Sequence, residues 1–151
     1  MNPSALDAGR YGGDEVAIGD WIDCGSTTVT AEAILRFAEL TGDRFEIHMD
    51  DAAAQRHGFA RQVAHGLLVL SLVDGLKNNA PAQFKARASK GWDWKFKAPV
   101  LAGDRLFAKL TVSGKKASRS PDQMTLALEF EVHNQENVLV QAGRNALLVY
   151  R

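Results

Sequence analysis

One segment near the middle of the chain would form a helix that is apolar on nearly all sides. The long segments after it alternate apolar and polar residues. In residues 66–78, Ser71, Asp74 and Asn78 form a narrow polar stripe and most other positions are apolar, so a helix here must be surrounded by other structure. After Pro81 the hydrophobic period changes from about 3.6 residues to 2. The two periods together predict one buried helix covered by a β-sheet.

The alternating segments predict at least four long strands with no helix between them. Apolar side chains occupy every second position in residues 92–96, 106–112, 126–132 and 138–150. Polar turns near 114–122 and 134–137 would join neighbouring strands as hairpins, which is typical of an antiparallel sheet. The predicted fold class is therefore α+β, with an antiparallel sheet curled around a long central helix.

The length of 151 residues and the 46% hydrophobic content fit one domain with a sizeable core. We expect this domain to cover residues 14–151. The first 13 residues contain three glycines and a proline but no hydrophobic period, which predicts a flexible N-terminal arm. Regular structure is expected to begin near Val16.

Charge and cysteine content exclude several classes of partner. Lys plus Arg and Asp plus Glu number 18 each, so no net field favours nucleic acid or an anionic membrane. The longest apolar run, residues 67–70 extending past Ser71 to Val73, is far shorter than the roughly 20 residues that cross a bilayer. A lone Cys24 cannot form an intramolecular disulfide, and no signal-peptide core precedes it. We expect a cytoplasmic protein that binds a small molecule or a second copy of itself.

The candidate site lies where the helices begin and end. Thr30 can cap a helix over residues 31–41 that Gly42 ends, which leaves Asp43 just beyond it. His48 follows five residues later, before a short helix that starts at Asp50 or Asp51. The apolar helix then begins with His65-Gly66. A carboxylate, an imidazole and a helix N-terminus are the parts of an acid/base site acting on a carbonyl compound.

Other common chemistries lack their motifs in this sequence. It contains no Gly-rich phosphate loop, no Gly-x-Ser-x-Gly turn, no His-Glu-x-x-His pair and no second cysteine for a thiolate metal site. We therefore expect acid/base chemistry with no cofactor and no metal.

In combination, four sequence elements resemble the MaoC-like dehydratases, the R-specific enoyl-CoA hydratases. They are Gly42-Asp43-x-x-x-x-His48, Asp50-Asp51, Ala64-His65-Gly66-Leu67 and Lys97-Ala98-Pro99-Val100-x-x-Gly103-Asp104. The resemblance implies a hot-dog fold, usually as a homodimer. It also implies reversible addition of water to a trans-2-enoyl-CoA, giving an R-3-hydroxyacyl-CoA, with coenzyme A entering only as part of the substrate.

The family motif implies a role for three of these residues. Asp43 and His48 carry over as the catalytic pair, and the backbone N–H of Gly66 carries over as the donor to the enolate oxygen, the oxyanion. The sequence leaves open which of Asp43 and His48 is the base and which is the acid. His65 is expected to have a structural role rather than a catalytic one, because a helix start is a natural place for an imidazole hydrogen bond.

The chain departs from the family pattern at two places. Phe45-Glu46 stands where relatives commonly have Asn-Pro, which predicts either a loop that holds the catalytic pair differently or a different acyl pocket shaped by Glu46. Asp74 stands where some members carry a small hydroxyl residue, and a carboxylate there could bind a polar acyl group or shift the pKa of His48. Phe45, Glu46, His65 and Asp74 are therefore candidate substrate-binding residues.

Two other functions remain open at this stage. A thioesterase is the alternative enzyme, because the hot-dog fold hosts both activities and a fold does not decide function. A non-catalytic subunit that binds acyl thioesters is the third, because the Phe45-Glu46 departure alters the loop of the catalytic pair.

Overall fold

A computed structural model describes residues 2–151, and within them the chain forms seven strands and three helices. The strands are β1 (Gly9–Tyr11), β2 (Trp21–Thr28), β3 (Ala82–Phe84), β4 (Ala86–Phe96), β5 (Arg105–Ala117), β6 (Gln123–His133) and β7 (Leu139–Tyr150). The helices are α1 (Ala31–Thr41), α2 (Asp51–Arg56) and α3 (Gly66–Asn79), with short 3-10 turns at Gly13–Glu15 and Glu46–His48.

Five strands form one antiparallel sheet in the order β2-β5-β6-β7-β4. The alternating segments pair as predicted, and Leu110 lies opposite Phe130 with both side chains fully buried. The α+β class is thereby confirmed. Strand β2 escaped prediction, because a register shift at Gly25 and a polar end break its alternation.

Helix α3 packs one face against the sheet. Leu68, Val69 and Val73 on this face are buried in the main core. The opposite face is open in the single chain, where Leu67 is 61% exposed and Ser71 is also exposed. The expectation that other structure surrounds the helix is thus met on one side only, because a single sheet covers one face of a helix.

The N-terminal segment departs from the prediction. Strand β1 pairs in parallel with β3, with Gly9 opposite Ala82, and the Leu6 N–H donates to the carbonyl of Trp21 at 2.9 Å. The expectation that regular structure begins near Val16 is therefore wrong. These residues pair through their backbone, which needs no hydrophobic period and so leaves no signal in the sequence.

Local capping residues set the helix ends that position the site. The Thr30 hydroxyl accepts the Ala33 N–H at 3.0 Å, and Gly42 ends α1 in the left-handed conformation at φ 79°. The Asp50 carboxylate accepts the Ala53 N–H at 2.7 Å at the start of α2. These predicted boundaries are confirmed, and they place Asp43 immediately after a fixed helix end. No helix within residues 2–151 has both the length and the apolar character to span a bilayer.

Candidate active site

His48 is a buried imidazole held in one tautomer. Its side chain is in the 3-10 turn after α1, and its Nδ1 lies 2.7 Å from the carbonyl oxygen of Val63. Because a carbonyl can only accept, Nδ1 carries the proton and the neutral ring keeps a lone pair on Nε2. Burial lowers the pKa of His48, opposed in part by the hydrogen bond to Val63. The ring is therefore set up as a neutral proton acceptor.

Backbone and side-chain bonds from one neighbouring segment fix the turn that carries His48. The Val63 N–H donates to the carbonyl of Ile47 at 2.9 Å. The Gln62 side chain donates to the carbonyl of His48 at 2.7 Å and is itself buried. The segment before α3 thus holds His48 from both sides of its peptide.

His65 contacts both residues of the candidate pair and helps to hold them in place. It is 2% exposed, its Nε2 donates to the backbone carbonyl of Asp43 at 2.9 Å, and its ring stacks on His48 with centroids 3.9 Å apart. The second ring nitrogen, Nδ1, is buried without a partner among residues 2–151. These contacts favour the structural role over a substrate contact.

Asp43 lies close to both imidazoles although it is exposed. One carboxylate oxygen of Asp43 and one ring nitrogen each of His48 and His65 all lie within 4.8 Å of one another. One water that bonds both an imidazole and a carboxylate can bridge such a gap. The structure thus brings together the Asp43–His48 pair that the motif predicted.

The same three side chains are spaced closely enough to be considered as metal ligands. A metal binds along an imidazole lone pair in the plane of the ring. The rings of His48 and His65 are stacked with an interplanar angle of 27°, so they cannot both direct lone pairs at one nearby ion. This geometry favours an acid/base pair over a metal centre.

A cavity of about 350 Å³ opens beside His48 and also reaches Gly66, a size within the usual range for small-ligand sites. The segment Lys97–Val100 forms one wall, and the other lining side chains are mostly apolar: Ile47, Phe59, Val63, Ala64 and Phe96. Asp43 does not line the cavity. His48 therefore lies in the wall of a largely apolar cavity, whereas Asp43 lies outside that wall and is exposed to solvent.

Gly66 is the first residue of α3, and its N–H has no acceptor among residues 2–151. The first N–H groups of a helix lack internal partners and lie at the positive end of the dipole. A Cβ at this position would overlap the ring of Phe96, so glycine is required for the two to pack. The site therefore combines a proton acceptor and an unpaired donor on one cavity.

The sequence model of the MaoC like domain matches residues 16–134. The chain belongs to the MaoC-like family. The (R)-specific enoyl-CoA hydratase of Aeromonas caviae is 32% identical over 115 residues, which cover 75% of this chain and 81% of that protein. Protein MaoC of Klebsiella aerogenes is 34% identical over 113 residues, 73% of this chain, but the match spans only 33% of that longer protein.

A solved structure extends the likeness to almost the whole chain. The monoamine oxidase regulatory protein from Archaeoglobus fulgius superposes with a TM-score of 0.87 at 28% identity, covering 97% of this chain and 99% of that one. The five-stranded antiparallel sheet on a long helix is the hot-dog fold. The fold that the sequence elements implied is confirmed.

Glu46 and Asp74, two candidate substrate-binding residues of the MaoC-like protein, make their contacts outside the cavity. The Glu46 carboxylate bonds His57 Nε2 at 2.6 Å and Arg56 at 3.4 Å on the surface, and the bond from His57 lowers the pKa of Glu46. Asp74 pairs with Lys77 at 3.1 Å and lies two turns, about 12 Å, along α3 from Gly66. Neither lines the cavity, so the structure does not support either as a substrate contact.

Phe45, another candidate substrate-binding residue, contacts His48. Its ring is 52% exposed and meets the rings of His48 and His57 edge-on, with centroids 5.9 and 5.8 Å away. It does not line the cavity, but it packs against the imidazole that does. Phe45 therefore shapes the outer side of His48, while its role as a substrate contact stays a prediction.

Sequence reasoning missed Gln141, which is 2% exposed and lines the cavity. A signal was present: Gln141 and Asn145 are amides at buried positions of a strand that otherwise alternates. A polar side chain on the inward face of a strand needs a partner. Gln141 bonds the start of α3, and no local sequence pattern reveals this contact.

Proposed function

We propose that this MaoC-like protein adds water reversibly to trans-2-enoyl-CoA thioesters and forms R-3-hydroxyacyl-CoA. The observation that carries the proposal is one cavity lined by both His48 and Gly66, with the Asp43 carboxylate within reach of one bridging water. The likeness to a relative named as an (R)-specific enoyl-CoA hydratase supports this reaction. No cofactor is needed beyond the coenzyme A of the substrate.

In the first step, a water held between Asp43 and His48 attacks C3 of the enoyl group. The new C3–O bond forms as the double-bond electrons move towards the thioester oxygen, and a proton of the water passes to His48 Nε2. The Gly66 N–H donates to the resulting enolate oxygen. The Asp43 carboxylate orients the water and stabilises the imidazolium.

In the second step, the proton on His48 passes to C2. A C2–H bond forms, the enolate returns to a thioester carbonyl, and His48 is neutral again. One water has then been added and the site is unchanged. In this assignment His48 serves first as base and then as acid, because Nε2 is its free nitrogen.

Crotonyl-CoA tests the proposal directly. Purified protein should remove the absorbance of the conjugated thioester without added metal or nucleotide, and the product should be the R alcohol. A thiol-reactive dye run in parallel on a saturated acyl-CoA reports thioesterase activity. Release of thiol without hydration would replace the proposal by a thioesterase, and inactivity in both assays would favour a binding subunit.

The pH dependence follows from the lowered pKa of His48. The base is lost when Nε2 takes a proton, so activity should fall as the pH drops through the folded-state pKa. That value lies below the ordinary 6.5. We expect the acid limb of kcat/KM below pH 6.5, and NMR titration of the His48 ring should give the same midpoint. A midpoint above 6.5 would contradict the burial argument.

The NMR titration has an internal check in Asp43→Asn. The Asp43 carboxylate raises the pKa of His48 against the effect of burial, so removing its charge should move the His48 midpoint further down. The sign for stability is the same as for activity. The unfolded chain takes the His48 proton at higher pH than the folded one, so this residue's contribution to stability is lost as the pH falls.

We propose that the protein is a homodimer joined along β4. The N-terminal segment pairs with the start of the other edge strand, β2, where Trp21 exchanges backbone bonds with Ser4 and Leu6. Within residues 2–151, strand β4 pairs only with β7. Helix α3 approaches this strand where Gly66 meets Phe96, and the α3 face around Leu67 is open. Pairing of exposed edges removes an aggregation hazard.

The assembly is tested by mass. Light scattering at micromolar concentration should give twice the 16.5 kDa mass of one chain. A single-chain mass under these conditions would contradict the dimer. Leu67→Glu should shift the mass towards one chain, because it places a charge on the open α3 face.

A further inference from the structure

Gln141 is a buried amide whose orientation is unambiguous. Its Oε1 accepts the Trp94 indole N–H at 2.6 Å, and its Nε2 donates to the carbonyl oxygen of Gly66 at 3.2 Å. An indole N–H can only donate and a carbonyl can only accept, so the amide has one orientation that satisfies both. One side chain thus connects β4, its own strand β7 and the first residue of α3.

This connection reaches the backbone of Gly66 directly. Glycine has the largest backbone freedom of any residue, and Gly66 has no side chain to pack. The preceding residue, His65, makes no side-chain cap at this helix end. Backbone bonds hold the residues on either side, from the Ala64 N–H to Val100 and from the Val69 N–H to His65, and the bond from Gln141 adds a side-chain contact to the Gly66 peptide itself.

We propose that Gln141 is a positioning residue that fixes the first turn of α3, so that the Gly66 N–H faces the cavity. Trp94 acts one step behind it by fixing the amide of Gln141. The kinetic part of this inference rests on the proposed hydratase function. The geometric part does not, because the orientation of Gly66 is measurable without substrate.

The first test is Gln141→Met, which keeps the length of the side chain and removes both hydrogen bonds. A small displacement of a reacting group costs up to about 10²-fold in rate, so we expect kcat to fall by roughly tenfold to a hundredfold. KM should change little, because the Gly66 N–H matters most in the transition state.

Asn145→Val is the matched control. Asn145 is also a fully buried amide of β7 that donates across to β4, to Ser89 and to the carbonyl of Gly91, but it does not line the cavity. Its loss should lower the melting temperature while kcat per folded protein stays at the wild-type value. Equal kcat losses in the two variants would mean that any buried amide of β7 matters, and would overturn the inference.

Trp94→Phe tests the second link. It removes the N–H that holds Gln141 and should lower kcat in the same direction, by a smaller factor than Gln141→Met. In the Gln141→Met background the same change should have no further effect, because the link is already broken. Fully additive losses would contradict a path through Gln141. This variant also keeps the test open if Gln141→Met fails to fold.

Backbone NMR separates this inference from the proposed function. The Gly66 amide signal should move in Gln141→Met and stay in place in Asn145→Val, whether or not the wild type hydrates crotonyl-CoA. An unmoved Gly66 signal would overturn the inference even if kcat fell, because Gln141 would then act on the substrate itself. A moved signal with an unchanged kcat in an active enzyme would overturn it as well.

Discussion

Replacing His48 by Ala is expected to lower kcat for crotonyl-CoA hydration by about 10²–10⁴-fold, the usual contribution of a proton-transfer group. The variant loses the free acceptor Nε2 of a ring that lines the cavity, and it leaves the Val63 carbonyl without its donor. Steady-state kinetics on protein shown to be folded by circular dichroism measures the loss. His57→Ala is the matched control, because His57 is an imidazole on the same side of the fold that bonds Glu46 outside the cavity.

Asp43→Asn probes the other half of the pair with almost no change in shape. The amide oxygen can still accept the Phe45 N–H, which Oδ1 accepts at 3.3 Å, so the loop should keep its course. The loss of charge removes the group that orients water and stabilises the imidazolium. We expect a large loss of kcat, and a double variant hardly worse than His48→Ala, because the two residues act as a unit. Wild-type kcat in either folded single variant would refute the pair.

Most of the fold was predictable because its signals are local. Thr30 and Gly42 mark the ends of α1, and the change of period after Pro81 marks the sheet. Strand β2 was not predicted, because its register shift and polar end interrupt the alternation. The pairing of residues 9–11 was not predicted either, because backbone pairing leaves no hydrophobic period. The open face of α3 also escaped, because an apolar pattern shows that a surface is to be covered but not by which chain.

In the candidate site, too, the sequence located the residues next to marked element ends and missed those that only packing brings together. Asp43, His48 and Gly66 follow element ends that the sequence marks, so their motif located them. Gln141 is 75 residues from Gly66 in the chain, and only the register of β7 against α3 brings them together. The bond from Glu46 to His57, just after α2, could not be predicted for the same reason, and the role of Glu46 as a substrate contact stays a prediction. Spacing predicts which residues can meet, whereas packing decides which way a side chain turns.

The oxyanion donor can be tested only after the crowding around Gly66 is relieved. Either Gly66→Ala or Gly66→Pro alone would drive a Cβ into the Phe96 ring, so their losses would mix sterics with the missing N–H. The ring is 58% exposed, and Phe96→Ala removes the overlap at a side chain that is not deeply packed. Because Phe96 also lines the cavity, the kcat and KM of Phe96→Ala alone are measured first and serve as the reference for both Gly66 variants.

In that background, Gly66→Ala should retain the kcat of Phe96→Ala, whereas Gly66→Pro should lose about 10²–10³-fold, the cost of removing one oxyanion donor. Proline is tolerated at the first position of a helix. The preceding His65 already has φ −59° and ψ 134°, the extended conformation that a following proline requires. The two variants should therefore melt at similar temperatures, which confines the difference to the N–H. Equal kcat values would assign the enolate oxygen to another donor. The Leu67 N–H would be the first to test, because the first N–H groups of a helix have no acceptor within the helix.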